Sequence, residues 1–195
     1  MRLLYNEYSP FARKARVVAL ICEAELELVQ VNPHADEWIR EHNPFCKIPV
    51  LVLDDGISIF DSRVIVEYLA ENTRADLVMP SKSRLRCLQQ QAIGDGICDA
   101  AVALRAEVLR PQREQSAAFK ERQIKAIQMG LAAAVHTDLS EMNVGTISIA
   151  CALDYLDVRH CSVNWRGANP SLERWHSING NHPALMRTAP PKATA

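Results

Sequence analysis

The stretch Pro49-Val50-Leu51-Val52-Leu53-Asp54-Asp55-Gly56-Ile57-Ser58-Ile59-Phe60-Asp61-Ser62 decides the fold. An apolar run, an Asp-Asp-Gly turn and a second short β-branched run predict a hairpin of two antiparallel strands. Asp61 and Ser62 then open a helix reaching Asn72, with Val64, Ile65, Tyr68 and Leu69 at helical spacing. Working back from the hairpin, Asp36 to Glu41 suits a short helix. Leu26 to Val31 alternates as a strand ended by Asn32-Pro33. Before that, Phe11, Ala15, Val18, Ala19 and Cys22 recur on one helical face between Pro10 and about Ala24, and Leu3-Leu4-Tyr5 reads as a strand. The order is β-α-β-α-β-β-α. A helical crossover makes the first two strands parallel, so the sheet is small and mixed, with helices packed on it.

Beyond Met79-Pro80-Ser81 the chain turns almost purely helical. Leu85, Leu88, Ala92, Ile97, Ala101, Leu104 and Val108 form one apolar stripe, which Pro111 ends. Gly94 and Gly96 lie inside it and suggest a kink, or close approach by another helix or a ligand. A second helix spans about Ser116 to His136, with Phe119, Ile124, Ile127, Leu131 and Val135 on its apolar side. A third, Thr146 to about Val158, is apolar on most sides and should be the buried centre of the helical part. Asn169-Pro170-Ser171 reads as an N-cap with proline at the first helical position, opening a helix through Trp175. The Pro-containing tail from Ala189 is expected to be poorly ordered. The domain reading is α/β for residues 1–77 and all-α for 84–195.

The 195 residues carry a net charge of -1, which gives no basis for attraction to nucleic acid or anionic lipid. Residues 1–75 hold 8 Lys/Arg against 12 Asp/Glu, and the remainder 14 against 11, so neither part is a charged arm. Met1-Arg2-Leu3-Leu4-Tyr5 is interrupted too soon by Asn6, Glu7 and Pro10 to read as a signal peptide. No apolar run approaches the ~18–20 residues of a membrane span. The expectation is a cytoplasmic protein without nucleic-acid or membrane partners. Its six cysteines form no CxxC pair, and its six histidines show no HxxxH spacing, so no metal site is expected and the thiols read as reduced and largely buried.

Three segments of the first domain could carry chemistry. Ser9-Pro10 sits between the first strand and first helix. It can be an N-cap plus first-turn proline, or a hydroxyl beside free backbone N–H groups that stabilises an incoming thiolate. Tyr5 and Tyr8 are nearby hydroxyls, Tyr5 expected to face the core. Ile48-Pro49 precedes a strand. The proline can be an edge feature, or its bond can be cis, turning the backbone of Ile48 outward to pair with a peptide ligand. Asp61-Ser62 can cap a helix, or hold an amino-acid head group with Ser62 on the carboxylate and Asp61 on the ammonium. Asp95 and Asp99, four apart on the long helix, either line a cleft or face solvent.

With Ser9-Pro10-Phe11, the Asn43-Pro44-x-x-Lys47-x-Pro49-Val50-Leu51 segment, the Asp61-Ser62 pair and the helical second half in that order, the chain resembles the glutathione S-transferase family over nearly its full length. Ala150-Cys151-Ala152-Leu153-Asp154-Tyr155-Leu156-Asp157 also looks like the central helix of bacterial members. The resemblance implies a thioredoxin-like first domain, a helical-bundle second domain, glutathione as co-substrate, a small electrophile as second substrate and a homodimer. It assigns Ser9 the glutathione sulfur, which makes this a serine-type member. It gives Ile48 the cysteinyl backbone, Pro49 the cis bond and Asp61-Ser62 the γ-glutamyl group.

The chain departs from the family twice. Cys46 stands where the family often has Gly, which bears on the loop conformation and raises the question of a redox-active thiol. Gly145-Thr146-Ile147-Ser148 replaces the usual Ser/Thr-x-x-Asp capping box, so the reciprocal acid is expected to be lost. The implied activity is transfer of the glutathione thiolate to an electrophile. A non-catalytic glutathione- or protein-binding module, or a glutathione-dependent thiol oxidoreductase or peroxidase, is the alternative.

Overall fold

A computed structural model describes residues 1–72 and 79–191. Its sheet holds β1 (Arg2–Tyr5), β2 (Glu27–Gln30), β3 (Val50–Val52) and β4 (Ser58–Ile59) in the order β2-β1-β3-β4. β1 runs parallel to β2 and antiparallel to β3, and β3 pairs antiparallel with β4, as the crossover and the hairpin require. At the turn, Gly56 takes φ +88 and its N–H donates to the Leu53 carbonyl. The central strands are buried on both faces. Leu3 and Leu51 point to the helices, while Leu4, Val50 and Val52 pack with Val31, Ile39 and Cys46 on the other side.

Helices α1 (Pro10–Ile21) and α2 (Ser62–Glu71) cover the first face. The helical part follows: α3 (Arg84–Val108), α4 (Ala117–Val135), α5 (Val144–Arg159), α6 (Trp165–Ala168), α7 (Pro170–Asn179) and α8 (Pro183–Arg187). Ile147, Ala150 and Cys151 of α5 and Leu185 of α8 join the same apolar cluster as Leu3, Val18 and Ile65, so the sheet region and the helical region share one core. A second cluster (Ile97, Leu104, Ile127, Leu131, Ile149, Leu153, Trp165) binds α3, α4 and α5 together. As expected, α5 is buried nearly all round. The expected domain limit at 77 and the last tail residues fall outside the described residues.

Gly94 lets α3 and α5 touch. A Cβ there would lie 2.5 Å from the Ser148 carbonyl carbon and 2.6 Å from the Ile149 nitrogen. Gly96 faces open space and needs no such account.

Four local expectations are corrected. The α3 stripe is buried only in its middle: Ile97, Ala101 and Leu104 are inside, but Leu85 is 73 %, Leu88 36 % and Val108 43 % exposed, left uncovered by the described residues. A capping box does open α5, built by Asn143 and Thr146 and so starting two residues before Gly145: Asn143 Oδ1 accepts from the Thr146 N–H, and Thr146 Oγ1 accepts from the Asn143 N–H. Asn169 precedes α7 without capping it, because its amide donates to the Trp165 carbonyl instead. Finally, α1 stops at Ile21, short of Ala24, with Glu23 at φ +55. The short helices α6 and α8 had no periodic signal long enough to read.

Candidate functional site

The three candidate segments meet in one cleft of about 800 Å³ between the sheet edge and the helical part. Ser9, Ile48, Pro49, Asp61 and Ser62 all line it.

Ser9 ends the β1–α1 loop, which an Asn6 turn shapes: Asn6 Oδ1 accepts from the Tyr8 N–H at 2.9 Å, and the Asn6 carbonyl accepts from the Ser9 N–H. The Ser9 hydroxyl caps α1 by accepting from the Ala12 N–H at 3.2 Å. A serine hydroxyl that accepts at one lone pair still has its proton to donate. Capping and thiolate stabilisation are therefore compatible at Ser9. Tyr5 is buried in the core beneath the Arg16 guanidinium and does not line the cleft, whereas Tyr8 does, with Arg159 stacked 3.9 Å from its ring centre.

The Ile48-Pro49 bond is cis. The Ile48 N–H and C=O have no partner among the described residues, so both remain for an extended ligand. Asn43, buried, fastens the loop: its amide donates to the Lys47 carbonyl at 2.8 Å and its Oδ1 accepts from the Phe45 N–H. Cys46 takes φ +51, the left-handed region glycine enters most easily, which accounts for the glycine common at this point in the resembling family. Its thiol is 8 % exposed and donates to the Pro33 carbonyl at 3.4 Å.

At α2, Asp61 caps the helix by accepting from the Arg63 N–H at 2.9 Å. Ser62 is buried, and its hydroxyl has no partner among the described residues. The residue after them was not read as functional, yet it lines the cleft too. The Arg63 Nε donates to Asp95 Oδ2 at 2.8 Å, and that hydrogen bond, set against partial burial, keeps the guanidinium above its ordinary range. Asp95 is buried, which settles its two readings in favour of the cleft, and Lys14 of α1 donates to both its oxygens at 2.7 and 2.9 Å.

The opposite wall is apolar and small: Phe11, Val102, Ala103 and Ala106, with Tyr155 of α5 behind them. Burial pushes the Tyr155 phenol up. Asp99 also borders the cleft, its carboxyl raised first by desolvation and then by Asp95. A second charged cluster ties α1 to the helical part. Arg13 donates to Asp154 at 2.6 Å and to the Leu185 and Thr188 carbonyls, and His176 bonds the other Asp154 oxygen at 2.8 Å. Burial alone would raise Asp154; the His176 bond and the Arg13 charge outweigh it, and the carboxyl lies below its ordinary value.

Residues 8–72 match the family description "Glutathione S-transferase, N-terminal domain". An Escherichia coli K12 protein described as "Uncharacterized GST-like protein YibF" is 32 % identical, with 99 % of this chain and 100 % of that protein covered. The chain belongs to the glutathione S-transferase family. Among solved family members, a glutathione S-transferase from Methylobacillus flagellatus KT with GSH bound is 35 % identical at a TM-score of 0.91, covering 97 % of this chain and 99 % of that one. A glutathione transferase family member from Pseudomonas fluorescens Pf-5 with bound S-(propanoic acid)-glutathione is 32 % identical at 0.88, covering 98 % and 100 %. The mixed four-stranded sheet and helical remainder are thus the thioredoxin-like and helical parts of this family's fold. No helix among the described residues is long and apolar enough to cross a membrane, and no group of three metal-ligating side chains occurs among them.

Proposed function

We propose that this family member binds glutathione in the cleft, stabilises its thiolate and presents it to a small electrophile. The observation that carries the reading is the convergence of three unspent sets of polar groups: the Ser9 hydroxyl proton, the Ile48 backbone N–H and C=O, and the Ser62 hydroxyl at the start of α2. Lining one cleft, they match in chemistry the sulfur, the cysteinyl backbone and the γ-glutamyl carboxylate of one tripeptide. Asp61, whose carboxylate keeps lone pairs beyond the one used in capping, would take the glutamyl ammonium. Lys47 and Arg40 also line the cleft and supply positive charge for the glycyl carboxylate, with His34 beside them as a hydrogen-bonding side chain.

The chemistry asked of the protein is small. A thiol of pKa near ~8.5 is only a few per cent ionised at neutral pH, and lowering that by roughly two units makes thiolate the main form. The Ser9 hydroxyl and the first N–H groups of α1 provide that stabilisation. The thiolate then attacks the electrophile, held against Phe11, Val102, Ala103 and Ala106. The Pseudomonas relative with bound S-(propanoic acid)-glutathione holds a glutathione that carries a substituent on sulfur, which supports a place for such a substituent here. Cys46, the cysteine that lines the cleft, is buried and turned toward Pro33, which favours the serine reading over a thiol oxidoreductase.

We also propose a homodimer. Val64 of α2 and Leu85 and Leu88 of α3 are exposed apolar groups, which a second copy would cover. A monomer mass in scattering at micromolar concentration would exclude it. The function is tested by a thermal shift with glutathione, then by conjugation assays on a panel of electrophiles and peroxides. A glutathione-dependent shift with turnover of an electrophile supports it. No shift and no turnover would overturn it.

A further inference from the structure

Lys14 is the most deeply buried charged residue among the described residues, 1 % exposed, and it lies on α1 in the middle of an apolar face. Its ammonium spends two of its three donors on the two oxygens of Asp95, 81 residues away on α3. A buried lysine is tolerated only with such a partner. The arrangement does more than satisfy Lys14, because Asp95 is shared. Its Oδ2 also accepts from the Nε of Arg63, a side chain that is 52 % exposed and borders the cleft beside Ser62. With Nε committed to Asp95, the two terminal nitrogens of the Arg63 fork remain for the cleft.

The charges of this triad show what Lys14 changes. Asp95 alone would neutralise Arg63, and the pair would offer the cleft no net charge. Within the triad Lys14 and Arg63 together outnumber Asp95; Asp61 and Asp99 also act on Arg63, and of the two cations Arg63 is the one that borders the cleft. We infer that Lys14 is a positioning residue: by occupying both oxygens of Asp95 it fixes that carboxylate as the anchor of Arg63 and leaves the Arg63 guanidinium free to hold the γ-glutamyl α-carboxylate. This rests on the glutathione reading above. Lys14 touches no ligand itself, and it binds α1, which Ser9 caps, to α3, which contributes to the opposite wall.

The test compares two ligands on the full chain by calorimetric titration: glutathione, and its analogue with the γ-glutamyl α-carboxylate replaced by a carboxamide. The wild-type chain should prefer glutathione, and Lys14→Met should narrow that preference by about ten-fold, while Lys14→Arg retains most of it. A merely structural role for Lys14 would weaken both ligands alike, and an unchanged preference overturns the inference. Should Lys14→Met fail to fold, the pair Lys14→Met with Asp95→Asn removes the buried charge. In it Arg63 loses its anchor and the preference again narrows; a wild-type preference there also overturns the inference. Failure of the wild-type chain to bind glutathione overturns the glutathione reading and this inference with it, whereas binding with an unmoved preference removes the inference alone.

Discussion

Replacing Ser62 by alanine separates a binding role from a folding role, because the structure divides the two between neighbours. Asp61 is the cap of α2, accepting from the Arg63 N–H, and Ser62 makes no side-chain hydrogen bond among the described residues. Removing the Ser62 hydroxyl therefore leaves no polar group unpaired among the described residues, and alanine is the better helix former. The expected change in stability is within about 0.5 kcal/mol. Losing a hydrogen bond to a charged carboxylate costs about 1.5–3 kcal/mol, or roughly ten- to a hundred-fold in affinity. Asp61→Ala should show the reverse pattern in stability, losing about 1 kcal/mol with the cap. Urea denaturation and isothermal titration with glutathione on both variants provide the comparison. A Ser62→Ala protein that unfolds early but binds glutathione like the wild type would refute the division of roles and leave Ser62 as a structural residue only.

Further outcomes follow from the packing and the titrating groups. Gly94→Ala gains about 1 kcal/mol in helix propensity but forces a Cβ onto the α5 backbone, so a net destabilisation of about 1–3 kcal/mol is expected in urea; an unchanged midpoint would mean α3 and α5 are not held this closely. Burial, joined by Arg105 and Arg159, lowers the His160 pKa from its ordinary 6.5. The unfolded chain then binds a proton that the folded chain refuses, so this contribution is complete above about pH 6.5 and is lost as pH falls through the lower folded value. His160→Gln should flatten that part of the stability profile, and a slope identical to wild type would contradict it. Cys161 is exposed and the other five thiols are buried, so a native-state thiol titration should show one fast group; two or more fast groups would show Cys46 or another thiol to be accessible.

Local patterns carried most of the fold and the outline of the cleft. The Asp54-Asp55-Gly56 turn, the alternating runs and Ile48-Pro49 act over a few residues, and each has its expected form here. What escaped was set by distant partners. Lys14 falls three residues after Phe11 and four before Val18, inside the apolar stripe of α1, and a charge at that spacing was the available sign of a buried pair; nothing local named Asp95 as its partner. Tyr155 reaches the cleft from a helix that is apolar almost all round, so its direction could not be read from periodicity. The α3 stripe misled because periodicity reports an apolar face without telling whether this chain or another covers it. The capping box was missed because Asn143 lay just outside the stretch considered, and Thr146, where an acid is usual, supplies the reciprocal bond through its hydroxyl.

The most direct test of the central claim is the ultraviolet thiolate absorbance of bound glutathione, titrated against pH in the wild-type chain and in Ser9→Ala. Losing the cap should cost about 1 kcal/mol, so the variant remains folded. The account predicts that glutathione bound to the wild type ionises roughly two units below the free thiol, that Ser9→Ala moves the midpoint back up, and that conjugation slows by roughly ten- to a thousand-fold. A bound thiol that titrates like free glutathione, or a Ser9→Ala variant with unchanged midpoint and rate, would contradict it.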